Sequence, residues 1–455
     1  MAVLSEPLPP EGRKLAGRAP RAGFDAWWTL VLTFLLNLVS YLDRTIVAML
    51  VPNIKETLTV SDFQVGLLLG PTFAVCFSLF AIPLGWAADR FSRRMVIALG
   101  AVVFGAATVV SGFATSFLWL LVARAVVAIG EASLGPAALS LISEKFPRHL
   151  MTTAVSIYSM GLKIGGAAAL GLGAIAIVYA GQAEAAIPAL RGAEPWRLVF
   201  AITGLPAVVL GLMVFTFREA PKRSAVSATS GEAGTAVQFL RQHWRLFLPM
   251  LLGFSLLAMC GQTLIGWAPT LMDRQFGMPP AQYGPLLGAV ALASSLTLVL
   301  KGGVMDWFYA RGVKDIHIRF YTWLLFASVP LVAVVFLTRD LRIFVPLYAA
   351  VAIITVPLLA YLNVTVQMVA PRTLRGRLTA MVGIPVSLVG GLGPLSVGAL
   401  TDFVFRDEAR LNYSMATLFC VAVPAALVLL RITLRPLREA VILCEAREAA
   451  ERADA

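Results

Sequence analysis

Five ionisable side chains interrupt stretches that are otherwise apolar: Asp43, Arg44, Arg124, Glu131 and Lys163. A charge in hydrocarbon is costly, so such residues persist where they pair, carry protons or hold a charged solute. An ionised acid beside a cation holds it. The same acid, once protonated, lets the cation go, and the cation can then attract an anion or change a helix contact. Asp43 and Glu131 are the candidates for carrying the proton. Arg44, Arg124 and Lys163 are the candidates for anion contacts or ion-pair partners.

At a rise of ~1.5 Å per helical residue, Asp43 lies roughly 13 Å and Arg124 roughly 12 Å from the same membrane face. An Asp43–Arg124 pair is therefore expected. By the same arithmetic Glu131 is roughly 20 Å and Lys163 roughly 18 Å from the opposite face, which matches those two in depth as well. Asp43 and Arg44 are adjacent and diverge by about 100° on a helix, so only one can face a central cavity. Asn37, Tyr41 and Arg44, at i, i+4 and i+7, form a polar stripe suited to line it, which turns Asp43 toward a neighbouring helix. The second half of the chain offers uncharged groups at such depth. Gln262 and Asn363 can hydrogen-bond a solute and Trp267 adds apolar surface, while Lys301 is expected to snorkel toward a nearby membrane face.

These residues need elements that hold them inside a bilayer, and the composition supplies them. The 455 residues are 59% hydrophobic and 14% charged, with a mean hydropathy of +0.82. A soluble domain carries about 25% charged residues. Twelve stretches are long and apolar enough to cross a membrane, at about 26–52, 62–88, 94–114, 116–144, 151–180, 196–217, 246–272, 283–309, 318–338, 342–369, 377–403 and 412–432. The expected fold is an all-α membrane protein, with twelve transmembrane helices in two pseudo-symmetric six-helix bundles. The expected parts are an N-terminal tail (1–25), a first bundle (26–217), a linker without apolar period (218–245), a second bundle (246–432) and a tail (433–455).

Arg13, Lys14, Arg18, Arg21, Arg90, Arg93, Arg94, Lys145, Arg148, Lys222, Arg223, Arg311, Lys314, Arg372, Arg375, Arg435 and Arg438 fall in one alternating set of loops and ends. The other set holds Lys55, Arg191, Arg274, Arg339, Arg342, Arg406 and Arg410. The richer set is expected to be cytoplasmic, with both termini and the linker. The net charge of +12 is thus a membrane signal and not a nucleic-acid one. No apolar leader precedes the first span, and no cleavable signal is expected. Four scattered cysteines and three histidines at loops or span ends (His149, His243, His317) offer no metal-ligand spacing, and no metal or cofactor is expected.

The halves echo one another. GWAADRFSRR (85–94) follows span two and GGVMDWFYARG (302–312) follows span eight; FPRHLMTTA (146–154) precedes span five and APRTLRGRLTA (370–380) precedes span eleven. Gly85, Asp89, Arg90, Arg93 and Arg94 form a Gly-x-x-x-Asp-Arg-x-x-Arg-Arg pattern that resembles the loop between spans two and three of the major facilitator superfamily. Within it, YLDRTIV (41–47), RAVVAIGEAS (124–133) and GWAPT (266–270) are most similar to the spinster-like group, with Ala128 where that group commonly has Gly. The resemblance implies a secondary transporter working by alternating access, with residues 85–94 as a cytoplasmic gate. The expected cargo is a small organic anion or an amphipathic lipid-like solute moved with protons, by a monomer in a bacterial inner membrane. Its partners are then the solute, protons and membrane lipids, and no nucleic acid. A membrane-embedded enzyme would need a nucleophile with a base or a metal cluster, and none is visible. A non-transporting sensor would carry a larger extra domain than residues 433–455 allow.

Overall fold

The computed structural model describes residues 23–147, 150–186, 194–219, 231–355, 358–371 and 374–453. Arg13, Lys14, Arg18, Arg21, Arg148, His149, Arg191, Lys222, Arg223 and Arg372 lie outside them. Among the described residues the regular structure is entirely helical. That follows from the solvent: in hydrocarbon a chain must satisfy its own backbone N–H and C=O groups, and a helix does so within one segment.

The helices in order are α1 (Phe24–Leu58), α2 (Asp62–Leu69), α3 (Pro71–Arg90), α4 (Arg93–Ser111), α5 (Phe117–Ala132), α6 (Leu134–Lys145), α7 (Met151–Ala186), α8 (Pro195–Met213), α9 (Gly231–Gln242), α10 (Trp244–Phe276), α11 (Pro280–Ala310), α12 (Ile316–Leu337), α13 (Leu341–Thr355), α14 (Leu358–Val369), α15 (Arg375–Ala399) and α16 (Leu411–Ala453). Among the described residues eleven helical stretches are long and apolar enough to cross a membrane, and the tenth span is the shorter α13 followed by α14. The fold is thus the expected pair of six-span bundles.

Two spans are each built from two helices that meet within the described residues. α2 and α3 join at Gly70 (φ −120°, ψ −89°), and Pro71 opens the second helix. α5 and α6 join at Ser133, whose hydroxyl donates to Gly130 O at 2.8 Å; Pro136 has no N–H to give Ala132 O. Near the end of α13, three carbonyls accept from side chains: Ala352 O from Ser294 Oγ (3.2 Å), Ile353 O from Lys301 Nζ, and Ile354 O from Tyr321 OH (2.5 Å). Lys301 therefore does not snorkel. It is buried, and its ammonium binds the Ile353 carbonyl.

Two further stretches differ from a plain reading of the sequence. The hydrophilic stretch between the bundles contains α9, which rests on α10 and α15. Its AVQFLRQ portion is made largely of residues compatible with a helix. The residues after 432 prolong α16 as one helix to Ala453.

The linker, the start of α1 and the end of α16 mark one face of the bundle, called here the linker face. At the opposite face the halves press together along two seams, α2 and α3 against α15 and α7 against α11. In span numbering these are 2 with 11 and 5 with 8. A two-fold that exchanges the halves turns one seam into the other, which is the spatial form of the sequence repeat. Contact is backbone to backbone: a Cβ on Gly66 would lie 2.5 Å from Pro394 O, so nothing larger than glycine fits. The apolar cores tell the same story. Ala26, Leu30, Phe104 and Leu141 belong to a cluster confined to the first half. Met49, Leu50, Val65 and Trp196 join a cluster that runs on through the second half.

Candidate functional site

α1 and α7 pack closely enough that a Cβ on Gly165 would lie 2.4 Å from Leu38 O. Asn37 Nδ2 donates to Tyr158 O at 2.9 Å and so ties the two helices together; it does not line the cavity. One helical turn on, Tyr41 does line it.

Asp43 and Arg44 both reach α5. Asp43 is fully buried, and its Oδ2 accepts from Arg124 NH1 at 2.7 Å, which makes the expected pair. Arg44 NH2 donates to Glu131 Oε2 at 2.9 Å. The Glu131–Lys163 match therefore does not form. Depth arithmetic compares Cα positions, whereas arginine projects its charge several bonds away. The two arginines reach in opposite directions and bridge neighbours on α1 to residues two turns apart on α5. The result is a crossed ladder of two acids and two cations. Each acid keeps one oxygen, Asp43 Oδ1 and Glu131 Oε1, without a hydrogen-bond partner.

The aromatic surroundings suit such charges. The Arg44 guanidinium stands 3.7 Å from the Phe73 ring centroid, with Tyr41 at 5.3 Å and Phe77 at 5.5 Å. Its side chain is 29% exposed, against 1% for Glu131, so the cation is the more accessible member of its pair, although, against the expected stripe, Arg44 is not among the residues that line the cavity between the halves. Arg124 lies against Phe200 at 5.9 Å.

Between the halves is a cavity lined from α1 and α7 by Tyr41, Thr45 and Lys163, and from α10 and α11 by Ile265, Leu287 and Ser295 among others. Lys163 is exposed into this space and makes no ion pair among the described residues. The wall is mostly apolar, and most strongly so on the second half. Of the candidates there, Trp267 is fully buried and donates from Nε1 to Pro394 O at 3.0 Å; it props α10 against α15. Gln262 is exposed and Asn363 half-buried, and neither lines this cavity.

At the linker face, Gly85, Asp89 and Arg90 end α3, with the Arg90 guanidinium 5.3 Å from the Trp86 ring. Arg93 is buried and pairs with Glu144 of α6, and Arg94 NH1 donates to Phe217 O at 3.0 Å. Both contacts are internal to the first half. The second belongs to a strap formed by residues 216–219. Glu219 accepts from Arg93 N–H at 2.7 Å and from Ser92 Oγ at the α4 N-terminus, where helix dipole and free N–H groups favour an anion. Arg218 N–H and Lys145 Nζ both donate to Asp25, at 3.0 and 2.6 Å.

One charged cluster escaped the sequence reading. At the face opposite the linker, Asp62 is fully buried and takes a two-pronged contact from Arg274 (NH1–Oδ2 2.7 Å, NH2–Oδ1 2.8 Å). Lys55 Nζ reaches both Asp62 (2.6 Å) and Glu408 (2.8 Å), and Arg274 NH2 also meets Glu408 at 3.2 Å. In the sequence Lys55 and Arg274 read only as loop charges, and Asp62 beside a loop carries no signal that sets it apart from a solvated acid.

Comparison with known proteins places this architecture. Residues 33–394 match the family model described as Major Facilitator Superfamily. The chain is 23% identical to "Protein spinster" of Drosophila melanogaster over 295 residues, 64% of this chain and 46% of that protein. It is 25% identical to an "MFS-type efflux pump" of Mycolicibacterium smegmatis over 87% of this chain and 89% of the other. In three dimensions it resembles a bacterial homolog of the human lysosomal transporter Spinster, crystallised inward-facing and unoccupied. The TM-score is 0.76 at 24% identity, over 92% of this chain and 98% of that one.

Proposed function

Because this chain belongs to the Major Facilitator Superfamily, it is a secondary transporter of small solutes, and we propose that it couples the movement of an amphipathic organic anion to protons by alternating access. The observation that carries this reading is the crossed ladder between α1 and α5. Buried ion pairs are held by their mutual attraction, and removing one charge leaves the other costly to keep. Protonating Glu131 on its unpartnered oxygen discharges its hold on Arg44, the more accessible cation of the ladder. Arg44 is then free to take an anion, and Lys163 offers a second positive charge on the neighbouring helix. Protonating Asp43 does the same for Arg124 and loosens α1 from α5. The ladder's carboxylates and the anionic cargo thereby compete for the same cations, so a bound proton favours a bound anion, which is the elementary requirement for coupling.

The cavity wall supports the amphipathic character of the cargo. An anionic head meets the polar, cationic side formed by Tyr41, Thr45 and Lys163, and an apolar body meets Leu264, Ile265, Ala268 and Leu287. The pairs Arg93–Glu144 and Arg94–Phe217 O support a gate at the linker face in which residues 85–94 move with the first half as one body. We place that face in the cytoplasm from the basic loops.

The test is uptake by proteoliposomes, with and without a pH gradient, across a panel running from hexuronates to lysophospholipids. Amphipathic anions should be moved, and the gradient should accelerate them. Glu131→Gln should abolish the gradient's effect while leaving the protein folded. Unchanged gradient dependence in that variant, or uptake restricted to polar sugar acids, would overturn the corresponding half of the proposal.

A further inference from the structure

We infer that Asp62 is a positioning residue for the transport cycle: its carboxylate is the keystone of an ionic latch that holds the two halves together at the face opposite the linker. The inference rests on the alternating-access reading above, and its test does not require the cargo to be known.

The membership of the cluster carries the argument. Lys55 and Asp62 belong to the first half, Arg274 and Glu408 to the second. Asp62 contacts both cations and is fully buried, whereas the Glu408 side chain is 57% exposed. Lys55 and Arg274 are themselves largely buried, with side chains 12% and 16% exposed. Charge-assisted, two-pronged Arg–carboxylate contacts are among the stronger polar interactions, and one withdrawn from water is poorly screened by salt. A second contact reinforces the join: Phe63 N–H, at the start of α2, donates to Asp402 Oδ2 at 2.7 Å. Both join the start of α2 to the second half, the first to α10 and the second to the residues that follow α15. A conformation open at this face must break the Asp62–Arg274 bond, because its members ride on different halves. The Lys55–Asp62 bond joins neighbours in the first half and can survive.

This asymmetry gives a ranked expectation. Without the Asp62 charge, Lys55 and Arg274 face each other across the seam with only the exposed Glu408 carboxylate between them, so the cluster keeps an excess positive charge and its hold weakens most. Without the Arg274 charge, Asp62 keeps Lys55 and only the attraction is lost. Without the Glu408 charge, the keystone is intact and the exposed contact is worth little.

The experiment uses the full chain with Cys76, Cys260, Cys420 and Cys444 replaced by serine and Ser295, on the cavity wall, replaced by cysteine. A membrane-impermeant maleimide is applied to either face, in intact cells and in inverted vesicles. In the parent, labelling from the face opposite the linker should be slow. Asp62→Asn should raise it on the order of tenfold or more, Arg274→Gln should raise it less, and Glu408→Gln should leave it near the parent rate. Arg274→Lys, which keeps the charge but loses the fork, should fall between Arg274→Gln and the parent. Should Asp62→Asn fail to accumulate as folded protein, the order of Arg274→Gln, Arg274→Lys and Glu408→Gln still decides the matter. Equal labelling in all variants, or an effect of Glu408→Gln as large as that of Asp62→Asn, would overturn the latch. A labelling shift alongside a missing proton effect would reject only the coupling proposal.

Discussion

Lys163 and Glu131 show what one residue's position can and cannot reveal. Lys163 projects into the cavity between the halves with no anionic partner among the described residues, so its charge is available to a bound solute. Lys163→Gln should raise the half-saturation concentration for anionic solutes roughly 10- to 100-fold, the loss of one charge-assisted contact. The thermal midpoint of the purified protein should stay close to the parent's, because no ion pair is broken. A large fall in midpoint with unchanged half-saturation would instead make Lys163 a packing residue. The sequence already exposed the five intramembrane charges and the Asp43–Arg124 pair, since a charge in an apolar run is visible by itself. The partner of Glu131 was not legible. It depends on which way a long side chain leans, and Arg44 leans along α1 toward Glu131 while Arg124 leans back toward Asp43. Asp62 was hidden for a different reason: near a loop, a charge reads as solvated until the opposite half is seen to cover it.

At the scale of the element, hydropathy found the spans, and the prolines mark where averaging over a window failed. Pro71 and Pro136 each stand where a long apolar run gives way to two helices, and each removes one backbone donor. The signal was in the sequence, but an apolar proline does not lower a hydropathy average. Helix-to-helix distance is set by glycine, as the α1–α7 contact shows. Adding a methyl group by Gly165→Ala forces backbone against the Leu38 carbonyl and should cost ~1–3 kcal/mol. Gly171→Ala, on the same helix with nothing within 4 Å of the added atom, should be neutral. Thermal unfolding of the two variants in detergent separates them. Equal effects would mean that helix propensity, and not the α1–α7 contact, governs α7. Residues 231–242 show the reverse case: local helix formers produce α9 where polarity alone suggested a plain connector.

For the whole molecule, the two seams related by pseudo-symmetry should act together. Ala174 on α7 and Gly284 on α11 are close enough that a Cβ on Gly284 would lie 2.8 Å from that of Ala174. Paired cysteines at these positions, in the serine background described above, should cross-link on oxidation after a small separation of the helices, given the ~3.8 Å Cβ spacing of a disulfide. The bridge should stop transport, and reduction should restore it. Continued turnover with the bridge intact would mean that the halves do not part at this seam. The two-bundle plan was legible because the repeat and the basic loops are periodic over the full length. The closure at one face was not, because it is a choice between arrangements that share a single sequence.

The charge inventory of the first half has an electrical consequence. Asp43, Arg44, Arg124 and Glu131 sum to zero, and Lys163, when protonated, leaves this half with one uncompensated positive charge. A monoanion that enters with one proton on Glu131 leaves that sum unchanged, so the loaded and the empty carrier bear the same charge. Voltage therefore acts on both strokes, with opposite sign, with a bias of up to about 2.3 kcal/mol per 100 mV if the charge crossed the whole field. Recordings on a solid-supported membrane would find charge movement in the loaded and the unloaded step alike, and no net current over a full cycle of one proton and one monoanion.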